Sequence, residues 1–221
     1  MHVWRLTLCL GVILSLTACA ARESPPTSST SSTPTARIAV NPANIKRIRS
    51  ALPSGYEIAD VVGRVSVAGL WGFGPGWSAD PARCAALADP APGDAGARGY
   101  SASGQGGTVY VVVAAAPAAP DAGLLAECAR WTMTFAHTTG EVTTVDPPRI
   151  DGAGTVALTA STRTVVESGR ETDGQASTAQ AYLDGHVVFV ALVTDPGSPY
   201  PPLNSGFVTD LLTETVTALR G

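Results

Sequence analysis

Basic residues are few in this chain, and they are not clustered. The 221 residues include 14 lysine and arginine side chains against 18 aspartate and glutamate, for a formal net charge of −4. Lysine occurs only at Lys46, a bias towards arginine that is typical of a GC-rich genome such as that of an actinobacterium. Proteins that bind nucleic acid concentrate lysine and arginine on one face. We therefore expect no nucleic-acid partner.

The groups that usually build catalytic and cofactor sites are also scarce. Beyond the N-terminal region the histidines are His137 and His186. The sequence has no C-x-x-C motif and no G-K-[ST] phosphate loop, and Gly104, Gly106 and Gly107 do not have the G-x-G-x-x-G spacing. We therefore expect no metal and no other cofactor.

Long apolar runs are absent after the N-terminal segment, and that segment, residues 6–16, is too short to span a bilayer. It ends in Leu-Thr-Ala-Cys at residues 16–19, which resembles the lipobox of bacterial prolipoproteins. The resemblance implies a signal peptide over residues 1–18 and acyl chains such as palmitate on Cys19, which would hold the protein at the extracytoplasmic face of the membrane. The alternative is an ordinary secretory signal cut after Ala18 or Ala20, with Cys19 incidental.

Four cysteines reduce to two once this processing is considered. Cys9 leaves with the signal peptide and Cys19 is acylated, so Cys84 and Cys128 remain in an oxidising compartment. We predict that these two form a disulfide. A lone cysteine pair does not build a zinc site without histidines, so we prefer the disulfide to a metal site.

The pattern beyond the signal predicts two regions. Residues 19–40 are the acylated cysteine and a tether rich in serine, threonine and proline, which cannot bury enough apolar surface to fold. Residues 41–221 form a single α+β domain with a central antiparallel sheet of about five to seven strands and several packing helices, two of them clamped by the disulfide. Helix starts are predicted at Asn41-Pro42, Asp80-Pro81, Asp121 and Asn204-Ser205. Strands are predicted over 56–67, 108–116, 131–135, 141–145, 156–166, 176–183 and 186–194.

An aromatic, glycine-rich run at residues 69–77 is predicted to be a loop, because glycine and proline interrupt it too often for regular structure. Its rings, Trp71, Phe73 and Trp77, are candidates for contact with a sugar or a lipid. The alternative is that they cover the edge of the sheet as part of the core.

A hydrolase of envelope lipids or glycans is the alternative function. It would use Ser101 or Ser103 with His186 as the base, or a carboxylate pair. The segment that contains the serines resembles a nucleophile elbow, but Ser103 occupies the place of the second glycine of G-x-S-x-G.

The carboxylates Glu167, Glu171 and Asp173 fall near a polar turn, where solvated charge is the ordinary interpretation. His137 follows an alternating strand and is equally consistent with a surface position.

Several landmarks together resemble mycobacterial cell-envelope lipoproteins of unassigned function, a group similar to the extracellular sensor domain of a mycobacterial serine/threonine protein kinase. The landmarks are the segment 52–57, Asp80-Pro81 before Cys84, Cys128 near Trp131, the strand 186–194 and the helix 207–219. The resemblance implies an α+β domain with a disulfide-clamped pair of helices and a cleft for a ligand, and it supplies no catalytic residues. The chain departs from the sensor domain in having one available disulfide rather than two.

Together these observations favour a lipid-anchored, non-enzymatic domain that binds a ligand or a partner. The ligand would be a lipid, a glycan fragment or another protein of the envelope.

Overall fold

The structure is a computed structural model that describes residues 39–116, 118–166 and 168–221. The predicted signal peptide, Cys19 and all but the last two residues of the predicted tether lie outside these ranges. Within them, no helix is both long enough and apolar enough to cross a membrane.

Nine strands form one sheet in the order β1-β3-β4-β9-β8-β7-β6-β5-β2, and every neighbouring pair is antiparallel. The α+β class is confirmed, but the sheet is larger than the five to seven strands predicted. The strands are β1 Glu57–Val62, β2 Ser78–Asp80, β3 Arg98–Gly104, β4 Gly107–Ala115, β5 Arg130–Phe135, β6 Thr138–Val145, β7 Gly154–Val165, β8 Glu171–Leu183 and β9 His186–Thr194.

Strands β2 and β3 were missing from the prediction for physical reasons. Strand β2 has three residues, which is too short to show an alternating pattern. Strand β3 reads Arg-Gly-Tyr-Ser-Ala-Ser-Gly, and its small residues have little intrinsic preference for strands. Gly99 is required there, because a Cβ atom at this position would lie 1.8 Å from the carbonyl oxygen of Val111.

The helical segments are short except the last. A 3₁₀ helix, Pro42–Ala51, begins the domain, and another 3₁₀ turn, Ala82–Cys84, leads directly into α2. The α-helices are α1 Val67–Leu70, α2 Ala85–Ala88, α3 Ala122–Glu127 and α4 Ser205–Arg220.

Three predicted helix starts are confirmed by their caps. The side chains of Asn41, Asp121 and Asn204 accept hydrogen bonds from backbone amides two or three residues further on. The fourth differs, because Pro81 and not Asp80 is the N-cap residue of the turn Ala82–Cys84, and it provides no side-chain cap.

The predicted strand over 56–67 is too long. Strand β1 ends at Val62, and the side chain of Ser66 accepts a hydrogen bond from the amide of Gly69 to cap α1. β-branched residues favour a strand, but this cap and the packing of Val67 in the core favour the helix.

The sheet buries apolar side chains on both faces, because successive residues of a strand point to opposite sides. One face, called here the disulfide face, carries Val112, Trp131, Leu158 and Phe189 and packs against the segments around Cys84 and Cys128. The other, called the helix face, carries Val111, Val190 and Leu192 and packs against α4 and the N-terminal 3₁₀ helix.

The predicted disulfide is confirmed. Cys84 and Cys128 are bonded, with an S–S distance of 2.06 Å, and both side chains are fully buried. The bond joins the turn that leads into α2 to the C-terminal end of α3, so it clamps two helical segments on one face of the sheet.

A two-residue turn, Asp184-Gly185, joins β8 and β9, and its conformation is not the type I′ that an Asp-Gly pair favours. Leu183 pairs with His186, as expected for a two-residue turn. Only Gly185 has a positive φ, of 76°, whereas a type I′ turn needs positive φ at both positions.

Candidate ligand-binding site

Two of the three candidate aromatic rings lie in the core. Trp71 is 4% exposed and its indole Nε1 donates a hydrogen bond to the hydroxyl of Thr178 at 3.2 Å. Phe73 is 2% exposed and packs against Gly140, where a Cβ atom would lie 2.7 Å from the ring. Trp77 keeps part of its surface exposed. Trp71 and Phe73 are therefore part of the core cluster.

A short run of buried polar side chains on β8 attaches this region to the sheet. Gln180 is fully buried, and its Nε2 donates to the carbonyl oxygen of Leu87 at 2.7 Å. The hydroxyl of Tyr182 donates to Oε1 of Gln180 at 2.9 Å, and burial raises the pKa of the Tyr182 phenol well above its ordinary value. These bonds hold α2 on the disulfide face. The hydrogen bond from Trp71 to Thr178 holds the end of α1 there in the same way.

The serine and histidine of the hydrolase alternative lie far apart. His186 pairs with Ala115 at one end of β4, and Ser103 pairs with Thr108 near the other. Seven residues of strand separate these pairs, which corresponds to about 24 Å at roughly 3.4 Å per residue. Ser101 lies opposite Tyr110, at about 17 Å by the same rise. The serine–histidine arrangement of this alternative is therefore not formed.

The Ser103 hydroxyl and the His186 imidazole instead contact groups that are close to them in the sequence. The hydroxyls of Ser103 and Thr108 lie 3.1 Å apart, and Nδ1 of His186 lies 3.1 Å from the carbonyl oxygen of Asp184. His137 is exposed in the turn between β5 and β6. These positions are those of polar residues at strand ends and turns.

The carboxylates near the β7–β8 turn form ion pairs with one arginine. Arg163 lies 3.3 Å from a carboxylate oxygen of Glu171 and 3.2 Å from one of Asp173. Glu167 lies outside the described residues. In the part of the chain that the structure describes, no group of three or more histidine, cysteine, aspartate or glutamate residues is placed to hold a metal ion.

A large cavity lies on the helix face, beside the region that α4 covers. Helix α4 and the N-terminal 3₁₀ helix pack mainly on β3, β4, β9 and the second half of β8. They leave β5 uncovered, together with the parts of β6, β7 and β8 around residues 139–141, 161–163 and 173–175. A cavity of about 780 Å³ lies over these strands. We call it the polar groove; the side chains that line it are Thr132, Thr134, Thr139, Glu141, Ser161, Thr162, Arg163, Asp173 and Gln175, with Met133 and Gly140.

The register of the sheet arranges most of these side chains in two cross-strand rows. Residues directly opposite each other in antiparallel strands point to the same face. One row is Thr134, Thr139, Arg163 and Asp173, from β5 to β8. The other row is Thr132, Glu141, Ser161 and Gln175, in the same strands. The apolar residues that alternate with them, such as Trp131 and Val142, are buried on the disulfide face.

The polar groove combines neutral and charged hydrogen-bonding groups. Serine and threonine hydroxyls both donate and accept, a carboxylate accepts, and a guanidinium donates. Asp173 is already paired with Arg163, whereas among the described residues no cation lies within 4.0 Å of the Glu141 carboxylate. The groove can therefore bind a ligand through many hydrogen bonds, with Glu141 available as a charged acceptor.

Sequence reasoning did not find the polar groove. The alternating threonine, serine and charged residues of β5 to β8 show that one face of these strands is polar. They do not show whether a helix covers that face, because that depends on where α4 packs.

Two of the solved structures that match this chain come from mycobacteria. The crystal structure of an uncharacterised protein of Mycobacterium smegmatis, the Rv0999 ortholog, has a TM-score of 0.62 at 22% identity, and the match covers 82% of this chain and 98% of that one. The extracellular domain of PknH from Mycobacterium tuberculosis has a TM-score of 0.46 at 16% identity, covering 81% and 93% of the two chains.

Among curated proteins, no sequence matches this chain. The first of the two structures shows a shared fold and no more, because the identity is below a quarter. The family model of a domain of unknown function, DUF5642, matches residues 41–220, and the chain therefore belongs to this family.

Proposed function

We propose that this chain is a lipid-anchored binding protein at the extracytoplasmic surface of the membrane, and that its polar groove binds a glycan fragment without changing it chemically. The observation that carries the proposal is the open polar half of the helix face. The anchor is the acylated Cys19, supported by the lipobox pattern and by the oxidised Cys84–Cys128 pair.

The chemistry of the polar groove favours a glycan over a lipid. Its side chains are hydroxyls, carboxylates, an amide and a guanidinium, and sugar hydroxyls donate to and accept from all of them. Its volume of about 780 Å³ lies within the range of about 300–1,000 Å³ that is usual for small-molecule sites. The large apolar side chains of these strands are buried on the other face, so the apolar surface offered here to an acyl chain comes mainly from the methyl groups and aliphatic stems of polar side chains.

Binding without catalysis is supported by the same geometry. The serines named for hydrolysis, in β3, and His186, in β9, pair with residues far apart along β4, and the hydroxyl-rich rows contain no histidine. A protein partner would require an interface of its own, and it is the outcome that the experiment below distinguishes.

The test is a titration of the full chain with neutral trisaccharides of glucose, galactose, arabinose or N-acetylglucosamine, observed by saturation-transfer NMR. We expect at least one of them to bind, and Glu141→Gln to weaken its binding about ten-fold or more, because a charged acceptor contributes about 1.5–3 kcal/mol. The matched control is Glu214→Gln on the exposed side of α4, which should leave binding unchanged.

Two results would contradict the proposal. Failure of every trisaccharide to bind, or equal weakening in the two glutamine variants, would remove the glycan site and favour a protein partner. Cleavage of the bound sugar during the titration would contradict the non-catalytic part and restore the hydrolase alternative.

A further inference from the structure

A second groove lies on the disulfide face, where the edge strand β1 ends. It has a volume of about 510 Å³ and is lined by Val61, Val65, Leu70, Phe73 and Trp77, with Arg64, Ser66, Gly69, Gly74, Pro75 and Asp89 around them. We call it the apolar groove. It is separate from the polar groove, which lies on the opposite face of the sheet and shares no residue with it.

The chain leaves apolar surface open here for a local reason. Between the end of β1 and β2, the backbone turns repeatedly, with positive φ values of 94° at Gly72 and 92° at Gly76. These turns place Trp71 and Phe73 in the core, while Leu70 and Trp77 pack against the core and remain partly exposed. A partly exposed apolar wall with an aromatic ring is the usual lining of a site for an apolar ligand.

Two opposite charges lie at this groove. The Asp89 carboxylate is partly buried, and among the described residues it forms no hydrogen bond and no ion pair within 4.0 Å. Arg64 is exposed at the rim and interacts with Asp89 over a longer distance. A partly desolvated carboxylate without a donor leaves an acceptor free for a ligand.

We propose that the apolar groove binds the acyl chain of a neutral lipid whose head group carries hydroxyls, as in a monoacylglycerol. A hydroxyl can donate to the Asp89 carboxylate and accept from the Arg64 guanidinium at the same time. An anionic head would be repelled by Asp89 and a cationic head by Arg64, so the pair of charges selects against both.

This inference does not depend on the glycan proposal, because the two grooves share no residue. Loss of glycan binding in Glu141→Gln would leave lipid binding intact, and the reverse holds for the variants below. Failure of one proposal is therefore distinguishable from failure of the other.

The experiment is photo-crosslinking of the full chain, reconstituted in phosphatidylcholine vesicles, with a monoacylglycerol that carries a diazirine on its acyl chain. Mass spectrometry of the digest locates the label. We expect it in peptides that contain residues 61–77. Unlabelled 1-decanoylglycerol should displace the labelled lipid at a concentration about five-fold lower than decanoate or decylamine requires. A five-fold difference is within the range that one interaction of a partly exposed charge contributes to binding.

The apolar wall is tested by two leucine variants. Leu70→Ala should reduce labelling about five-fold or more, because it removes an apolar contact with the acyl chain. Leu125→Ala is the matched control, because Leu125 packs against the same core cluster and does not line the groove. The same urea midpoint in both variants verifies that they are folded to the same extent.

The charge pair is tested by a change in preference, which a purely structural role would not produce. Asp89→Asn should improve competition by decanoate, and Arg64→Gln should improve competition by decylamine, each about five-fold. Asp60→Asn and Arg47→Gln, exposed residues outside the groove, should change neither. Labelling outside residues 61–77, equal loss in the two leucine variants, or an unchanged preference in Asp89→Asn and Arg64→Gln would each overturn the proposal.

Discussion

Asp89 and Asp94 have the same side chain but opposite environments. Asp94 is half-exposed, and its carboxylate accepts hydrogen bonds from the amides of Gly96, at 2.8 Å, and Ala115, at 2.9 Å. These bonds lower its pKa below the ordinary 3.8, with small further contributions from His186 and Arg98. Burial raises the pKa of Asp89 above 3.8, and the Arg64 guanidinium opposes this only in part.

The first prediction concerns the pH dependence of stability in Asp89→Asn. Because the folded-state pKa of Asp89 is raised, the ionised carboxylate disfavours the folded state at neutral pH, and this penalty vanishes once both states are protonated. We expect Asp89→Asn to be more stable than the natural chain at pH 7. The difference should decrease on acidification and disappear below about pH 3.8, as measured by urea unfolding at a series of pH values.

Asp94→Asn is the control with the opposite sign. The lowered pKa of Asp94 stabilises the folded state above 3.8, and this contribution is lost as the pH falls through the folded-state value. The variant should be less stable than the natural chain at pH 7 and equal to it in strong acid. Differences of the same sign in the two variants would contradict this account.

At the scale of elements, α3 depends on the disulfide more than on its own packing. None of its six residues is fully buried, although Leu124 and Leu125 pack against the core cluster from partly exposed positions. Cys128, which follows its last residue, is fully buried and bonded to Cys84. The helix is therefore attached to the sheet mainly at its C-terminal end.

The second prediction is the effect of replacing both cysteines with alanine. The bond closes a loop with a sequence separation of 44 residues, so its removal should lower the free energy of unfolding by roughly 4 kcal/mol in the chain-entropy model. Amide hydrogen exchange should show that α3 loses protection first. Urea unfolding and exchange measured by NMR check both parts.

A cap variant on another helix provides the comparison. Asn204→Ala removes the hydrogen bond from the amide of Phe207 and should cost only about 1 kcal/mol. It should not change exchange in α3. Unchanged protection of α3 in the double cysteine variant would show that the disulfide does not hold this helix.

At the scale of the whole molecule, one sheet separates two kinds of surface. On the helix face, α4 and the N-terminal 3₁₀ helix cover one half and leave the polar groove over β5 to β8. On the disulfide face, short helices and turns cover the sheet and leave the apolar groove beside β1. The two proposed ligands therefore correspond to two faces with different chemistry.

The third prediction concerns the membrane anchor. If Cys19 carries the acyl chains, Cys19→Ser should move the protein from the membrane fraction to the soluble fraction, because a chain without acyl groups loses roughly 0.8 kcal/mol for each buried CH₂. Cys9→Ser is the matched control and should remain in the membrane fraction. Membrane fractionation followed by mass spectrometry of the N-terminal peptide provides the measurement, and a free Cys19 thiol in the membrane-bound protein would contradict the prediction.

Much of the fold is predictable from local sequence signals. The caps at Asn41, Asp121 and Asn204 identify three helix starts correctly, because a short polar side chain before a helix satisfies its free amides. The strand His186–Thr194 has the predicted bounds, because its apolar run is uninterrupted from residue 187 to 193 and follows a clear turn. Local sequence patterns did not predict β3. Its residues are small, and Gly99 must be glycine because β4 approaches its backbone closely.

The candidate sites were less predictable. From the sequence, Trp71 and Phe73 were candidates for ligand contact, with a place in the core as the favoured alternative, and both rings are buried in the structure. Arg64, Asp89 and Glu141 carry no local pattern that distinguishes them from other surface charges. Their importance in the proposed sites comes only from the side chains that the fold places beside them.

The sequence by itself determined the α+β class, most of the strands, the long C-terminal helix and the Cys84–Cys128 pair, because periodicity, caps and cysteine number are local properties. Only the tertiary structure decided which faces of the sheet remain open. The polar groove exists because α4 packs mainly on β9 and the second half of β8 and does not line the region around residues 139–141 and 161–163. That position depends on apolar contacts between residues far apart in the chain, and such contacts leave no local pattern in the sequence.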